Sequence, residues 1–346
     1  AYTMLADADV MFPTVTLSDG SEIVASHANY SHGLHTLRKQ DDREKIFKAH
    51  FTVYDEFPNT YAAIYNGVLH KDWFTARSRR YKSALEAKLD DDNIPVEVVT
   101  NLINTARAGG GPLQRYHRLR KRTLGIGSYR YFDAYLPLVE IEWALPYGEV
   151  GQLIIESLAI FGEEYQKTVE RSFSERWIDV YENEGKRSGA FSAGVYGVHP
   201  YMLLNYADTL NDAFTVAHEM GHTMHTVLSH AHQPYATSSY SIFVAEVASM
   251  TNEDLFLDRL LAREDDPLRR IVLLQAAIDD ITAGFYRPTM FAAYELEAHR
   301  AVERGEPITA ERLQELYLGV HDEFAGPVID DADLYRNTWA RIPHFF

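Results

Sequence analysis

The sequence predicts a mainly α-helical fold with one small β element. Three observations carry this. Apolar residues recur at helical spacing through most of the chain, strict alternation is confined to short stretches, and clustered glycine and proline break the pattern in few places.

Taken in order, TVTLSDGSEIV (14–24) alternates around a Ser-Asp-Gly turn signal and predicts a hairpin. Residues 41–57 open on acidic residues and place Ile46, Phe47, Phe51, Tyr54 and Phe57 at helical spacing. Asn59 is expected to cap the next helix, which carries Tyr61, Ile64, Tyr65, Val68 and Leu69. Pro95 opens a third, with Val98, Val99, Leu102 and Ile103. Gly109, Gly110, Gly111 and Pro112 then break any helix. This break divides a helical N-terminal region, 1–106, from a second region, 107–346. The basic run RYHRLRKR (115–122) is expected to be a solvated helix face rather than an anion site. Residues 149–181 read as helical, with Leu153, Leu158, Phe161, Tyr165, Val169, Phe173 and Trp177 inward. Residues 185–206, rich in Gly, Ser, Val and Tyr, predict one or two strands with a turn. Helices return from about residue 211.

Composition narrows the function. With 346 residues, 46% of them hydrophobic, the chain can build a sizeable core. A formal net charge of −17 repels nucleic acid and anionic lipid, so neither is an expected partner. Cysteine is absent, which removes disulfides and thiolate ligands and fits a reducing compartment. AYTMLADADV has no signal-peptide pattern, and no window reaches the roughly 20 apolar residues of a membrane span. A cytoplasmic location is therefore expected. Both ends read as cut from a longer chain.

The chemistry concentrates in VAHEMGHTMHTVLSH (216–230). His218 and His222 are four apart, so a helix points both imidazoles to one side, as a shared zinc ion requires. Glu219 follows the first histidine, where its carboxylate can take a proton from a water activated by the metal. Gly221 inside a helix costs about 1 kcal/mol relative to alanine, which suggests close approach by another backbone or a substrate. A catalytic zinc needs a third protein ligand. His225 and Leu228 stand where the metzincin continuation requires glycine and histidine, so that subtype is excluded. The expected third ligand is Glu246, placed between Ala245 and Val247 on a helix read as amphipathic through Phe243, Val244, Val247, Met250, Leu255 and Leu257. A carboxylate buried there needs a partner. Glu253, two turns on, is expected either to orient a ligand histidine or to be an ordinary exposed charge. His225 is expected to support a ligand or fill a packing site rather than bind metal. His230 and His232 are expected in a loop, facing solvent or substrate.

HEMGHTMH followed by FVAEVASMTNE resembles the oligoendopeptidase F branch of the thimet-type zinc metallopeptidases. So do YSHGLHTLRKQDDREKIFKAHF, YFDAYLPL, GKRSGAFSAGVYGVHPYMLLNY, FYRPTMFAAYE and WARIPHFF, and the resemblance covers nearly the whole chain. It implies a large helical peptidase fold with a deep substrate channel, one Zn2+ per chain, and short unstructured peptides as substrates. It implies His218, His222 and Glu246 as zinc ligands and Glu219 as general base. Gly189, Ala190 and Phe191 resemble the family's substrate-binding edge, where an extended peptide adds beside a strand. Tyr196 and His199 of the same segment join that substrate-binding set. His344 matches the histidine that opens the family's C-terminal substrate-binding stretch, and the resemblance implies that it is catalytic with Glu219. Two alternatives stay open, the first supported by the absence of the family's tyrosine-rich stretch before Phe346. One is a peptide- or metal-binding module without turnover; the other is a zinc exopeptidase on the same site.

Overall fold

Alternation in the first segment folds as read: β1 (Thr14–Thr16) pairs antiparallel with β2 (Glu22–Val24), Val15 opposite Ile23. Gly20, at φ +87°, makes the turn, and Asp19 Oδ1 accepts from Ser21 N at 2.9 Å. The computed structural model describes residues 1–141, 143–183, 186 and 189–346. The helices that follow are α1 (His27–Thr36), α2 (Gln40–Glu56), α3 (Pro58–Ser78), α4 (Ala84–Leu89), α5 (Val96–Ala108) and α6 (Gly111–Leu124). Next come α7 (Tyr147–Ser157), α8 (Glu163–Ser174), β3 (Ile178–Asp179), β4 (Phe191–Ala193) and β5 (Tyr201–Leu203). The chain continues through α9 (Leu210–His232), α10 (Ile242–Arg263), α11 (Pro267–Ile281), α12 (Arg287–Glu303) and α13 (Ala310–Ala325). The fold is mainly α.

The chain divides into two compact units, residues 1–138 with 278–346, and residues 139–277. The Gly109–Gly111 break separates α5 from α6 inside the first unit.

The first unit is built on aromatic residues. Phe47, Phe51 and Tyr54 of α2, Tyr61 and Tyr65 of α3, Tyr294 of α12, Tyr317 of α13 and Trp339 are all buried. Phe47 stacks on Phe51 with ring centroids 4.5 Å apart. Pro58 at the first position of α3, not Asn59, marks that helix start, and no side chain caps it. The basic run of α6 is solvated at Arg115, Arg118 and Arg122, which are exposed, but not at Arg120. Arg120 is fully buried, donates to Tyr116 Oη at 2.9 Å and to the Leu136 carbonyl, and lies 3.7 Å from Asp279. Of these partners, the Leu136 carbonyl and Asp279 lie outside the run, which a charge run alone does not reveal.

In the second unit, 149–181 is not one helix. Gly162, at φ +88°, separates α7 from α8, and Trp177 lies beyond α8 beside the unforeseen strand β3. β5 is the central strand: β3 runs parallel to it, and β4 antiparallel with Ser192 opposite Met202. β4 is therefore an edge strand. The core beneath comprises Val150, Ile154, Leu158, Val169, Met202, Val216, Met220 and Phe256. Thr209 opens α9 with a capping box: its Oγ1 accepts from Asp212 N at 3.1 Å, and Asp212 Oδ2 accepts from Thr209 N at 3.1 Å.

Candidate metal centre

α9 buries Ala213, Val216, Ala217 and Met220 and leaves His218 and His222 partly open on another face. Four residues separate them, so their Nε2 atoms lie 3.2 Å apart. Oε2 of Glu246, from α10, is 3.3 Å from His218 Nε2 and 3.5 Å from His222 Nε2. Among the described residues these three side chains form the one group able to hold a metal. A tetrahedral zinc with bonds of about 2.0–2.1 Å separates its ligand atoms by about 3.3–3.4 Å. The two imidazoles and one carboxylate match that spacing, and they are donors zinc accepts.

The neighbours fix the donors. Glu253 Oε1 lies 3.3 Å from His218 Nδ1. A proton on Nδ1 then leaves the Nε2 lone pair facing His222 and Glu246. Burial lowers the His218 pKa, but the hydrogen bond and charge of Glu253, with Glu219 and Glu246 behind them, outweigh it and leave the pKa raised. At His222 burial dominates over Glu246, and the pKa is lowered. Ser249, fully buried, donates from Oγ to Glu246 Oε2 at 2.7 Å.

Glu219 is buried, and its Oε2 has no hydrogen-bond partner among the described residues. Burial raises its pKa, and the Glu246 charge adds to the rise while that of His218 opposes it. The Ser192 N–H of β4 donates to its carboxylate. Ser192 Oγ also meets Thr223 Oγ1 of α9 at 2.8 Å, so the edge strand is tied to the helix that carries the histidines.

The model of Peptidase family M3 matches residues 34–346. The chain belongs to this family. Among curated family relatives, it is 38% identical over 347 aligned residues to the oligopeptidase PepF of Bacillus subtilis, covering 100% of this chain and 52% of that protein. It is 37% identical to the group B oligopeptidase PepB of Streptococcus agalactiae, covering 100% of this chain and 57% of that one. The solved oligoendopeptidase-F of Enterococcus faecium superposes with a TM-score of 0.76 at 29% identity, covering 99% of this chain and 55% of that chain. The M3 chain thus spans about half the length of these relatives. Among its described residues, no helix is long and apolar enough to cross a membrane.

Other site residues fall elsewhere. Gly189, at φ +88°, precedes β4, its carbonyl accepting from Asn205 Nδ2 at 2.8 Å; Ala190 follows, and Phe191 is exposed on the strand. Tyr196 packs on His230 with centroids 5.2 Å apart, and His199 stacks on Trp177 at 4.6 Å. His225 stacks on Tyr240 at 3.6 Å, and its charge helps lower the His222 pKa. His230 and His232 are not in a loop: both lie in the last turn of α9. His344 is exposed in the short helical turn Pro343–Phe345 and belongs to the first unit, whereas His218, His222 and Glu246 belong to the second.

The expected apolar setting of Glu246 is not found. Phe243, Val244 and Val247 are exposed, and the buried face of α10 is Ala245, Ser249, Asn252, Phe256 and Leu260. Glu246 stands at the rim of that face, 56% exposed, and its partners rather than burial hold it. Ser249 and Ser192 are contacts the sequence reading missed. Ser249 was within reach, because it lies three residues after Glu246 on the same helix; the Ser192 contact depends on where β4 lands.

Proposed function

We propose that this M3 chain is the zinc-binding part of a cytoplasmic oligoendopeptidase that hydrolyses internal bonds of short, unstructured peptides. The observation that carries the reading is the His218–His222–Glu246 triangle, with edges of 3.2, 3.3 and 3.5 Å, beside a buried carboxylate with one free oxygen. His218, His222 and Glu246 would hold one Zn2+. When bound, zinc supplies Lewis acidity that polarises a carbonyl and acidifies water.

The remaining steps belong to the chain. Glu219 takes a proton from the attacking water at its free Oε2 and returns it to the departing amine. Its raised pKa suits both transfers, since an ordinary carboxylate is a weaker base. The Ser192 N–H orients the carboxylate, and Glu253 keeps the His218 proton on Nδ1. β4 is an edge strand, so an extended peptide can pair along it through its backbone, which suits a peptidase tolerant of sequence. Phe191, Tyr196 and His199 would meet its side chains.

The test is an internally quenched peptide of about ten residues with blocked ends. Chelator-sensitive internal cleavage is expected. Cleavage confined to peptides with a free end would replace this reading by an exopeptidase, and zinc without cleavage by a binding module.

A further inference from the structure

α9 and α10 approach closely at Gly221. A Cβ built there would lie 2.5 Å from Ala248 O, 2.5 Å from Ser249 Cα and 2.7 Å from Ala248 C. All three are α10 backbone atoms, so no side chain can swing clear. Beside this contact, Ser249 Oγ reaches Glu246 Oε2 at 2.7 Å. That same oxygen faces both ligand histidines. One turn further along α10, Asn252 Nδ2 donates to the Ala217 carbonyl at 3.3 Å, beside His218 in the chain.

We infer that Gly221 and Ser249 are positioning residues of the metal centre, an assignment that rests on His218, His222 and Glu246 holding zinc. Gly221 sets how closely α10 approaches α9, and Ser249 sets where the Glu246 carboxylate points. A methyl group at 221 would have to push α10 back by about 1 Å to reach ordinary carbon contact distance. Glu246, three residues before Ser249, moves with that backbone. A metal site tolerates errors of only about 0.2 Å in its ligand distances. The glycine in HEMGH therefore acts on zinc affinity through the helix crossing, without touching the metal.

The experiment measures zinc affinity by competition with a chromophoric chelator, together with the visible spectrum of the cobalt(II)-substituted protein. Circular dichroism monitors folding. Gly221→Ala is expected to weaken zinc about 10- to 100-fold and alter the cobalt spectrum, and Ser249→Ala to weaken it about 10-fold. Gly319→Ala, in α13 with nothing within 4 Å of the added methyl, is the control and should bind as the unsubstituted chain does. Ser249→Ala adds no atoms and carries the test if Gly221→Ala fails to fold. Both variants binding zinc within about twofold of the parent would overturn the inference, since positioning partners are worth at least about tenfold. No zinc on the parent chain would overturn the zinc reading itself, and the positioning roles with it.

Discussion

The first unit buries His50, His117 and His321 among aromatic rings, whereas the second gathers the half-buried His218 and His222 around glutamates. His50 lies between Tyr30 and Phe12, with centroids 4.1 and 5.1 Å away, and its Nδ1 is 2.9 Å from the Ala25 carbonyl. His117 Nδ1 meets Tyr129 Oη at 3.1 Å. Burial lowers their pKa values to about 3 and about 4. These imidazoles stay neutral and act as flat packing groups with one polar edge. In the second unit, Glu253 and Glu246 lie 3.3 Å from the two nitrogens of His218 and oppose the same effect of burial. At His218 the carboxylate neighbours outweigh burial and separate it from the packing histidines, whereas at His222 burial prevails.

The sharpest way to break this comparison is to remove a carboxylate. Glu246→Ala is expected to abolish stoichiometric zinc, removing part of a binding free energy on the order of 10 kcal/mol. His117→Phe should leave zinc content unchanged. Metal analysis of both variants decides; zinc lost from the second variant would end the distinction.

Acid should act on the first unit. Above pH 6.5, His50 and His117 are neutral in the folded and unfolded chain alike, and their full contribution to stability is present. As pH falls below 6.5, the unfolded chain takes up protons that the folded chain refuses, so stability drops. The loss levels off only near the folded pKa values, about 3 and about 4. At about pH 4.5 each histidine costs about 2–3 kcal/mol. Urea unfolding of the chelator-treated protein between pH 7 and 4.5 should show a falling midpoint. A flat midpoint would contradict the buried-neutral assignment.

Glu253→Gln tests the intermediate case, a carboxylate that orients a ligand histidine. Zinc affinity should fall by about 10- to 100-fold with the cobalt spectrum largely retained. Unchanged affinity would make Glu253 an ordinary surface charge. The smallest effect is expected from Gly319→Ala, which fills open space in a helix and should stabilise the chain by about 0.5–1 kcal/mol. Thermal unfolding would measure it.

Much of the helical architecture was legible because the buried faces of α2 and α3 repeat Ile46, Phe47, Phe51 and Tyr54, then Tyr61, Tyr65 and Leu69, at helical spacing. The pairing of His218 with His222 was legible for the same reason: four residues fix a face. What stayed hidden depends on partners remote in the chain. Arg120 is buried because the Leu136 carbonyl and Asp279 receive it beside Tyr116, and the first two lie outside RYHRLRKR. Glu246 was expected beside the metal on the ground of burial, yet Val247 and Phe243 beside it are exposed. Its position follows from the Gly221 crossing and the Ser249 hydroxyl. β3 is only two residues long, too short to alternate visibly.

The most direct test of the central claim pairs zinc content with turnover in Glu219→Gln. The account predicts one zinc per chain in both parent and variant. Chelator-sensitive cleavage of the quenched peptide by the parent should be reduced about 10²–10⁴-fold in the variant. A variant that cleaves at the parent's rate, or a parent that cleaves without zinc, would contradict the account.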